Sequence, residues 1–149
     1  MVTKANLESD LKQSMRESQK LRTSTLRMAL SAIKLVEVDK QRDLDEAEIT
    51  SVLQREAKAR RETIEDAQKA NRPDIIKAAE DELEILAAYL PAPLSEAELE
   101  SLVRAAIAET GASGMQDMGK LMSAVMSQVG ARAEGKVVSQ MARKMLAED

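Results

Sequence analysis

The chain has 149 residues, 44% of them hydrophobic and 32% charged, with a net charge of −4. This composition supports one domain or two small ones and excludes a disordered polymer. With no Cys and no His, the chain has no disulfide, no thiolate chemistry and no imidazole to titrate near neutral pH or bind a metal.

Tyr89 is the sole aromatic residue, so the core must be built from Leu, Ile, Val, Met and Ala. Ala, Leu and Met favour helices, whereas strands draw on aromatic and β-branched residues, so the expected fold is all-α. Residues 1–8 carry no apolar leader stretch, and no run approaches the ~18 apolar residues of a membrane-spanning helix. A cytoplasmic protein with no membrane contact is expected. Sixteen basic and 18 acidic residues lie up to Leu90, and 6 and 8 after it. Neither part is basic enough for strong non-specific nucleic-acid binding.

Leu7, Leu11 and Met15 recur every fourth residue and predict a short amphipathic helix. Ser18 is placed to cap the next, over about 19–39. On its wheel Leu21, Met28 and Leu35 form one apolar stripe, and Leu26, Leu30 and Ile33 a second, with Ala29 and Val36 between them. So wide an apolar arc marks it as the central helix of the first body. Its narrow remaining face carries Lys20, Arg27 and Lys34, seven apart. This row is either a solvated face, the preferred reading, or three cations matched to a phosphate backbone.

Asp45-Glu46-Ala47-Glu48 has the form of a capping box and starts a long helix to about residue 70. Glu56 and Arg60 fall on its apolar face, four apart in the favourable order, and are read as a semi-buried ion pair that sets helix packing. Pro73 suits the first turn of a fourth helix, whose outer face is read as acidic through Glu80, Asp81, Glu82 and Glu84.

Pro91 and Pro93 then force a break. Each lacks a backbone N–H and excludes its predecessor from the α region. Ser95 and Glu98 form a capping box that restarts the chain. The expected organisation is an N-terminal body of about four helices over 1–90, an elbow over 91–95 and a three-helix module over 96–149. In that module Gly111 reads as a left-handed helix cap, and Ser113–Gln116 as a capping-box variant. Gly119, inside a helix, is taken to mark close backbone approach, and Gly130 and Gly135 bracket a turn. Six of the nine methionines lie here. They either fill a core lacking aromatics or offer an adaptable surface near Met118, Met122, Met141 or Met145.

No phosphate-binding glycine loop, metal-ligand spacing or nucleophile–base pair is present. No catalytic residue, metal or cofactor is expected, and an independent enzyme is disfavoured. The carboxylates of the fourth helix lack the pocket that acid–base work needs.

Four segments together resemble the GatB/YqeY family in its free-standing form. They are Leu21-Arg22-Thr23-Ser24-Thr25-Leu26-Arg27-Met28 with Ala32-Ile33-Lys34, Arg60-Arg61-Glu62-Thr63-Ile64-Glu65, Glu84 through Pro91 with Leu94-Ser95, and Gly111-Ala112 followed by Asp117-Met118-Gly119-Lys120. The resemblance implies a two-part helical protein whose second part is similar to the tail domain of the B subunit of glutamine-dependent aspartyl/glutamyl-tRNA amidotransferase. It implies the class of carbon–nitrogen ligase with glutamine as amido-N-donor, and a non-catalytic, tRNA-associated accessory role. Candidate RNA contacts on that basis are Lys120, Arg132 and Lys136, extended by Lys20, Arg27 and Lys34. The turn over 127–135 has lost two lysines of the usual family pattern and carries Glu134 in place of Asp, so binding is expected to be weak and salt-sensitive. The alternative is a helical protein–protein adaptor that docks a partner through the Met-rich module.

Overall fold

A computed structural model describes residues 2–148, the side chain of Ala131 excepted. Among the described residues there are seven α-helices, two single 3₁₀ turns and no strand. The helices are α1 (Lys4–Arg16), α2 (Lys20–Lys40), α3 (Glu46–Lys69), α4 (Pro73–Ala87), α5 (Glu96–Thr110), α6 (Met118–Val129) and α7 (Gly135–Glu148). The chain divides into two compact units, Met1–Leu90 and Pro91–Asp149.

In the N-terminal unit, α3 and α4 form the closest-packed pair, while α1, α3 and α4 all pack against α2. The core comprises Leu7 of α1, Leu26, Ala29 and Ile33 of α2, Ile49, Val52 and Leu53 of α3, and Leu86 of α4. These positions recur at three- and four-residue spacing, so each helix buries one stripe. Thr25 is buried among them because its hydroxyl bonds to the Leu21 carbonyl at 2.8 Å, as a buried polar group requires.

The wide apolar arc expected of α2 is not what the structure buries. The stripe of Leu21, Met28 and Leu35 faces outward, at 37%, 48% and 73% exposed. Three neighbours on one side cover only about half of a helical cylinder, and the one aromatic side chain, Tyr89, is bonded to Asp10 of α1.

Several helix starts also differ from expectation. Ser18 does not cap α2; it lies in the left-handed region at φ 57°, and Gln19 is the N-cap without a side-chain bond. Asp45 caps α3 by accepting from the Glu48 N–H at 2.8 Å, but Glu48 does not reach back. Its carboxylate pairs instead with Lys40 and Arg42, each at 3.0 Å, so only half of the box forms. The full box at Ser95 and Glu98 does form. A further box, Thr3 with Asn6, opens α1 and was not expected; its Asn replaces the usual Glu or Gln.

Arg60 is the main polar contact of the N-terminal unit. It is 8% exposed. Its guanidinium meets Glu56 on its own helix at 3.3 Å and Glu82 on α4 at 2.9 Å. It also lies 3.5 Å from the Met28 sulfur of α2. Glu82 is therefore turned into the α3–α4 seam and does not belong to an exposed outer face.

Tyr89, past the end of α4, is fastened to α1. Its hydroxyl donates to Asp10 at 2.5 Å, and Arg22 of α2 stands 3.8 Å from the same carboxylate. Burial first, and then the bond to Asp10, raise the Tyr89 phenol above its ordinary pKa.

In the C-terminal unit, Leu99, Val103 and Ala106 of α5 pack with Leu121, Val125 and Val129 of α6 and with Val138, Ala142, Met145 and Leu146 of α7. Gly111 ends α5 at φ 69°, a conformation that favours glycine. No capping-box variant forms at 113–116. A 3₁₀ turn, Met115–Asp117, leads into α6, and the Asp117 carboxylate accepts from the Ser113 N–H at 3.0 Å. Gly119 marks no close approach, since a Cβ added there would meet nothing within 4 Å. It lies on the open face of α6. Gly130 does need its freedom, at φ 53°, whereas Gly135 simply begins α7.

The elbow belongs to the C-terminal unit. The Leu94 N–H donates to the Arg132 carbonyl at 2.9 Å, and the Arg132 Nε donates to the Ala92 carbonyl at 3.1 Å. Neither proline could supply such a donor, so the elbow is secured through Leu94 and through carbonyl oxygen.

Two predictions follow from the buried polar contacts. Arg60→Ala leaves Glu56 and Glu82 facing one another without a cation. Breaking such a pair costs about 2 kcal/mol at partly exposed carboxylates, which lowers Tm on the order of 10 °C. Urea and thermal unfolding check this, and a change below about 0.5 kcal/mol would contradict it.

The second prediction concerns acid stability. Lys4 donates to Glu37 at 2.8 Å. That bond foremost, with help from the Leu44 N–H, holds the Glu37 carboxyl below its ordinary range. A carboxylate with a depressed folded-state pKa stabilises the fold above its unfolded value, and the contribution is lost as pH falls through the folded value. Glu37→Gln should therefore flatten the decline of stability below about pH 4.5. Because the same bond raises the Lys4 ammonium above its ordinary pKa, the variant should also flatten the alkaline decline to which Lys4 contributes, both read by unfolding midpoints across pH.

Candidate nucleic-acid interface

The chemistry of a phosphate-binding surface needs exposed cations that are not already spent on neighbouring carboxylates. Lys120, Arg132 and Lys136 are all exposed, but the structure does not gather the three at one point. Lys120 stands in the first turn of α6, whereas Arg132 follows its last turn. Nine residues of helix separate Lys120 from Val129, a rise of about 14 Å. Arg132 also has a structural duty, since its Nε holds the Ala92 carbonyl. Its remaining guanidinium nitrogens are free of any ion pair among the described residues, although its charge helps hold the Glu98 carboxyl low, behind the larger effect of the Ser95 N–H and hydroxyl.

Lys136 has better company. In α7 the residues Val138, Ala142, Met145 and Leu146 face the core. At 3.6 residues per turn, Lys136, Gln140, Arg143 and Lys144 share the opposite face, and all four are exposed. Lys136, Arg143 and Lys144 form no ion pair among the described residues. Arg143 and Lys144 were not among the residues expected from sequence. They become visible once α7 is drawn as a wheel with its buried positions fixed. Five of the unit's six cations lie from Lys120 onward against three carboxylates, Glu134, Glu148 and Asp149, whereas Glu96, Glu98, Glu100, Glu109 and Asp117 precede them with Arg104 as the sole cation. The charge of this unit is therefore segregated along the chain in spite of its acidic total.

The second row, Lys20, Arg27 and Lys34, lies exposed along α2 in the N-terminal unit. Arg27 rests against the Met15 sulfur at 3.3 Å. These cations run beside Ser24, Ser31 and Val38, which separate them from the exposed stripe of Leu21, Met28 and Leu35.

Other features offer less chemistry. A cleft of about 580 Å³ between the start of α1 and the α2–α3 loop is lined by Glu8, Glu37, Asp43, Asp45 and Glu46, with Lys4 as its one cation. Its charge repels phosphate, and Lys4 is already bonded to Glu37. Ser14 is fully buried, with its hydroxyl bonded to the Leu11 carbonyl and the Thr23 hydroxyl, each at 2.9 Å. It has no general base and no access to substrate. No helix of the described residues is long and apolar enough to cross a membrane.

Met118, Met122, Met141 and Met145 pack in or against the core of the C-terminal unit. The large exposed apolar side chains of that unit are Met115 and Val137. Met145 is buried, while Met118, Met122 and Met141 stay partly exposed at the edge of that core; the longer exposed stripe lies on α2.

Residues 4–146 match the family model described as YqeY-like protein. Among curated relatives is the Altered inheritance of mitochondria protein 41, mitochondrial, of Lachancea thermotolerans, 40% identical over 66% of this chain and 54% of that protein. The protein of the same name from Pyrenophora tritici-repentis is 27% identical over 89% of this chain and 74% of its own length. That from Kluyveromyces lactis is 36% identical over 57% and 46%. The chain thus spans about half the length of the first of these relatives. With nearly every described residue inside the matched region, the chain belongs to the YqeY-like family.

Proposed function

We propose that this protein is a non-catalytic accessory that binds tRNA through the outer face of α7. The observation that carries this reading is the set Lys136, Arg143 and Lys144, without ion pairs among the described residues and with Arg132 just before it, on a three-helix unit that resembles the amidotransferase tail. Cations held on one helix face without carboxylate partners can each displace a counterion from a phosphate. Lys120 adds a contact at the far end of α6. Base stacking contributes little, because Tyr89 is the one aromatic residue and it is half-buried, with its hydroxyl donating to Asp10.

A ligase activity residing in this chain alone is not part of the proposal. The buried Ser14 and the acidic cleft supply neither an activated nucleophile nor a site for an activated acyl group. Association with an amidotransferase that carries its own catalytic subunits fits the residues better. A cytoplasmic location belongs to the same proposal. The fungal relatives carry the word mitochondrial in their own names.

Fluorescence anisotropy of labelled tRNA tests the reading. With three phosphate contacts, affinity should fall by roughly 40-fold between about 50 mM and about 200 mM salt. Replacing Lys136, Arg143 and Lys144 by Ala should abolish most binding, and each single replacement should lower the salt slope by about one. Absence of binding at the lower salt, or binding indifferent to the triple replacement, would overturn the proposal.

A further inference from the structure

The outer face of α2 has a period that neither the core nor the RNA proposal uses. Leu21, Met28 and Leu35 recur every seven residues, and Ser24, Ser31 and Val38 lie three residues after each. In heptad terms the first set occupies a and the second d, the two positions that form the seam between paired helices. Lys20, Arg27 and Lys34 immediately precede the a residues and therefore occupy g, the flank of that seam. The outward position of the seam is direct: Leu35 is 73% and Val38 64% exposed. The e positions belong to the unit's own interior, with Thr25 buried and Ala32 half-buried.

We propose that this face docks an acidic amphipathic helix of a partner protein, one whose apolar seam is flanked by Glu or Asp at seven-residue spacing. Charge complementarity selects the occupant. A second copy of α2 packed antiparallel sets g against g, so Lys20, Arg27 and Lys34 meet their own kind. Packed parallel, the row meets e positions that are buried except for Asp39, which answers one cation at most. Nucleic acid makes no use of a Leu and Met stripe and gains nothing from desolvating it. A helix with carboxylates along one flank satisfies both halves of the surface. The short Ser24 and Ser31 side chains let the partner backbone come close, and the leucines and Met28 supply apolar contact. Met28 is polarizable and adaptable, and its sulfur already rests on Arg60. One side of α2 is committed to its own core, so recognition uses a single seam.

The test uses the full chain and a labelled synthetic peptide of three heptads, with Leu at a, Ala at d and Glu at e and g. Anisotropy should give a Kd below about 100 µM. A scrambled peptide of the same composition, and one with Lys in place of each Glu, should bind at least about tenfold more weakly. Leu35→Asp should weaken the Glu peptide by about tenfold or more, and this exposed position leaves the fold intact, as circular dichroism would verify. The triple charge reversal Lys20→Glu, Arg27→Glu and Lys34→Glu should lose the Glu peptide and gain the Lys peptide. That exchange of preference is one that a merely structural role for the cations cannot produce.

Equal affinity for the Glu and Lys peptides, or no binding of either, overturns the proposal. A dimer in light scattering that Leu35→Asp dissociates would assign the face to a second copy instead. Binding to phosphatidylserine vesicles without peptide binding would assign it to a lipid surface. Loss of tRNA binding on charge reversal, with Leu35→Asp unchanged, would assign the row to phosphate.

Discussion

Arg60 is the side chain on which the N-terminal unit turns. It reaches Glu56 on α3, Glu82 on α4 and the sulfur of Met28 on α2, so one buried guanidinium fixes three helices in relation to one another. A core without Phe or Trp has few large side chains with which to key helices together. Directional contacts take over part of that task. Tyr89 on Asp10, Ser14 on Thr23 and Lys4 on Glu37 do the same at the contacts of α1. Such contacts specify one arrangement because a shift by a turn would leave buried polar groups unpaired.

The cations of the chain divide into two kinds by what lies beside them. On α7, Lys136, Arg143 and Lys144 neighbour Gln140 on an open polar face, where a phosphate backbone loses little hydration by approaching. On α2, Lys20, Arg27 and Lys34 flank one face on which Ser24, Ser31 and Val38 lie between them and a stripe of Leu and Met, and the burial of that stripe is favourable only against another apolar surface. Charge alone does not separate these surfaces, since each holds three basic residues. The apolar neighbours do, and they give each unit a surface suited to a different class of partner.

Much of the fold was legible in the sequence. Missing aromatics, helical periodicity and the prolines at 91 and 93 led to the seven helices, and the Glu56–Arg60 spacing pointed to the polar contact that α4 then completes with Glu82. What escaped was tertiary. A wheel for α2 shows two apolar stripes but not how many neighbours arrive to cover them, and three helices cover only one. Glu48 and Gly119 each followed a local rule that the structure did not use. The carboxylate of Glu48 found stronger partners in Lys40 and Arg42, and Gly119 lies where no second backbone comes near. Arg143 and Lys144 lacked any motif, and their relation to Lys136 appears only when the buried side of α7 is known. The family motifs around Arg22 and Tyr89 converge at Asp10, where they secure the end of α4 to α1.

Hydrogen–deuterium exchange of the full chain, with and without saturating tRNA at low salt, tests the division between these surfaces most directly. The account predicts slowed exchange over 130–144, across the Gly130–Gly135 turn and α7, with α2 exchanging as it does in the free protein. Protection concentrated on 20–38 with α7 unchanged would contradict it and would make the heptad-spaced cations of α2 the RNA surface.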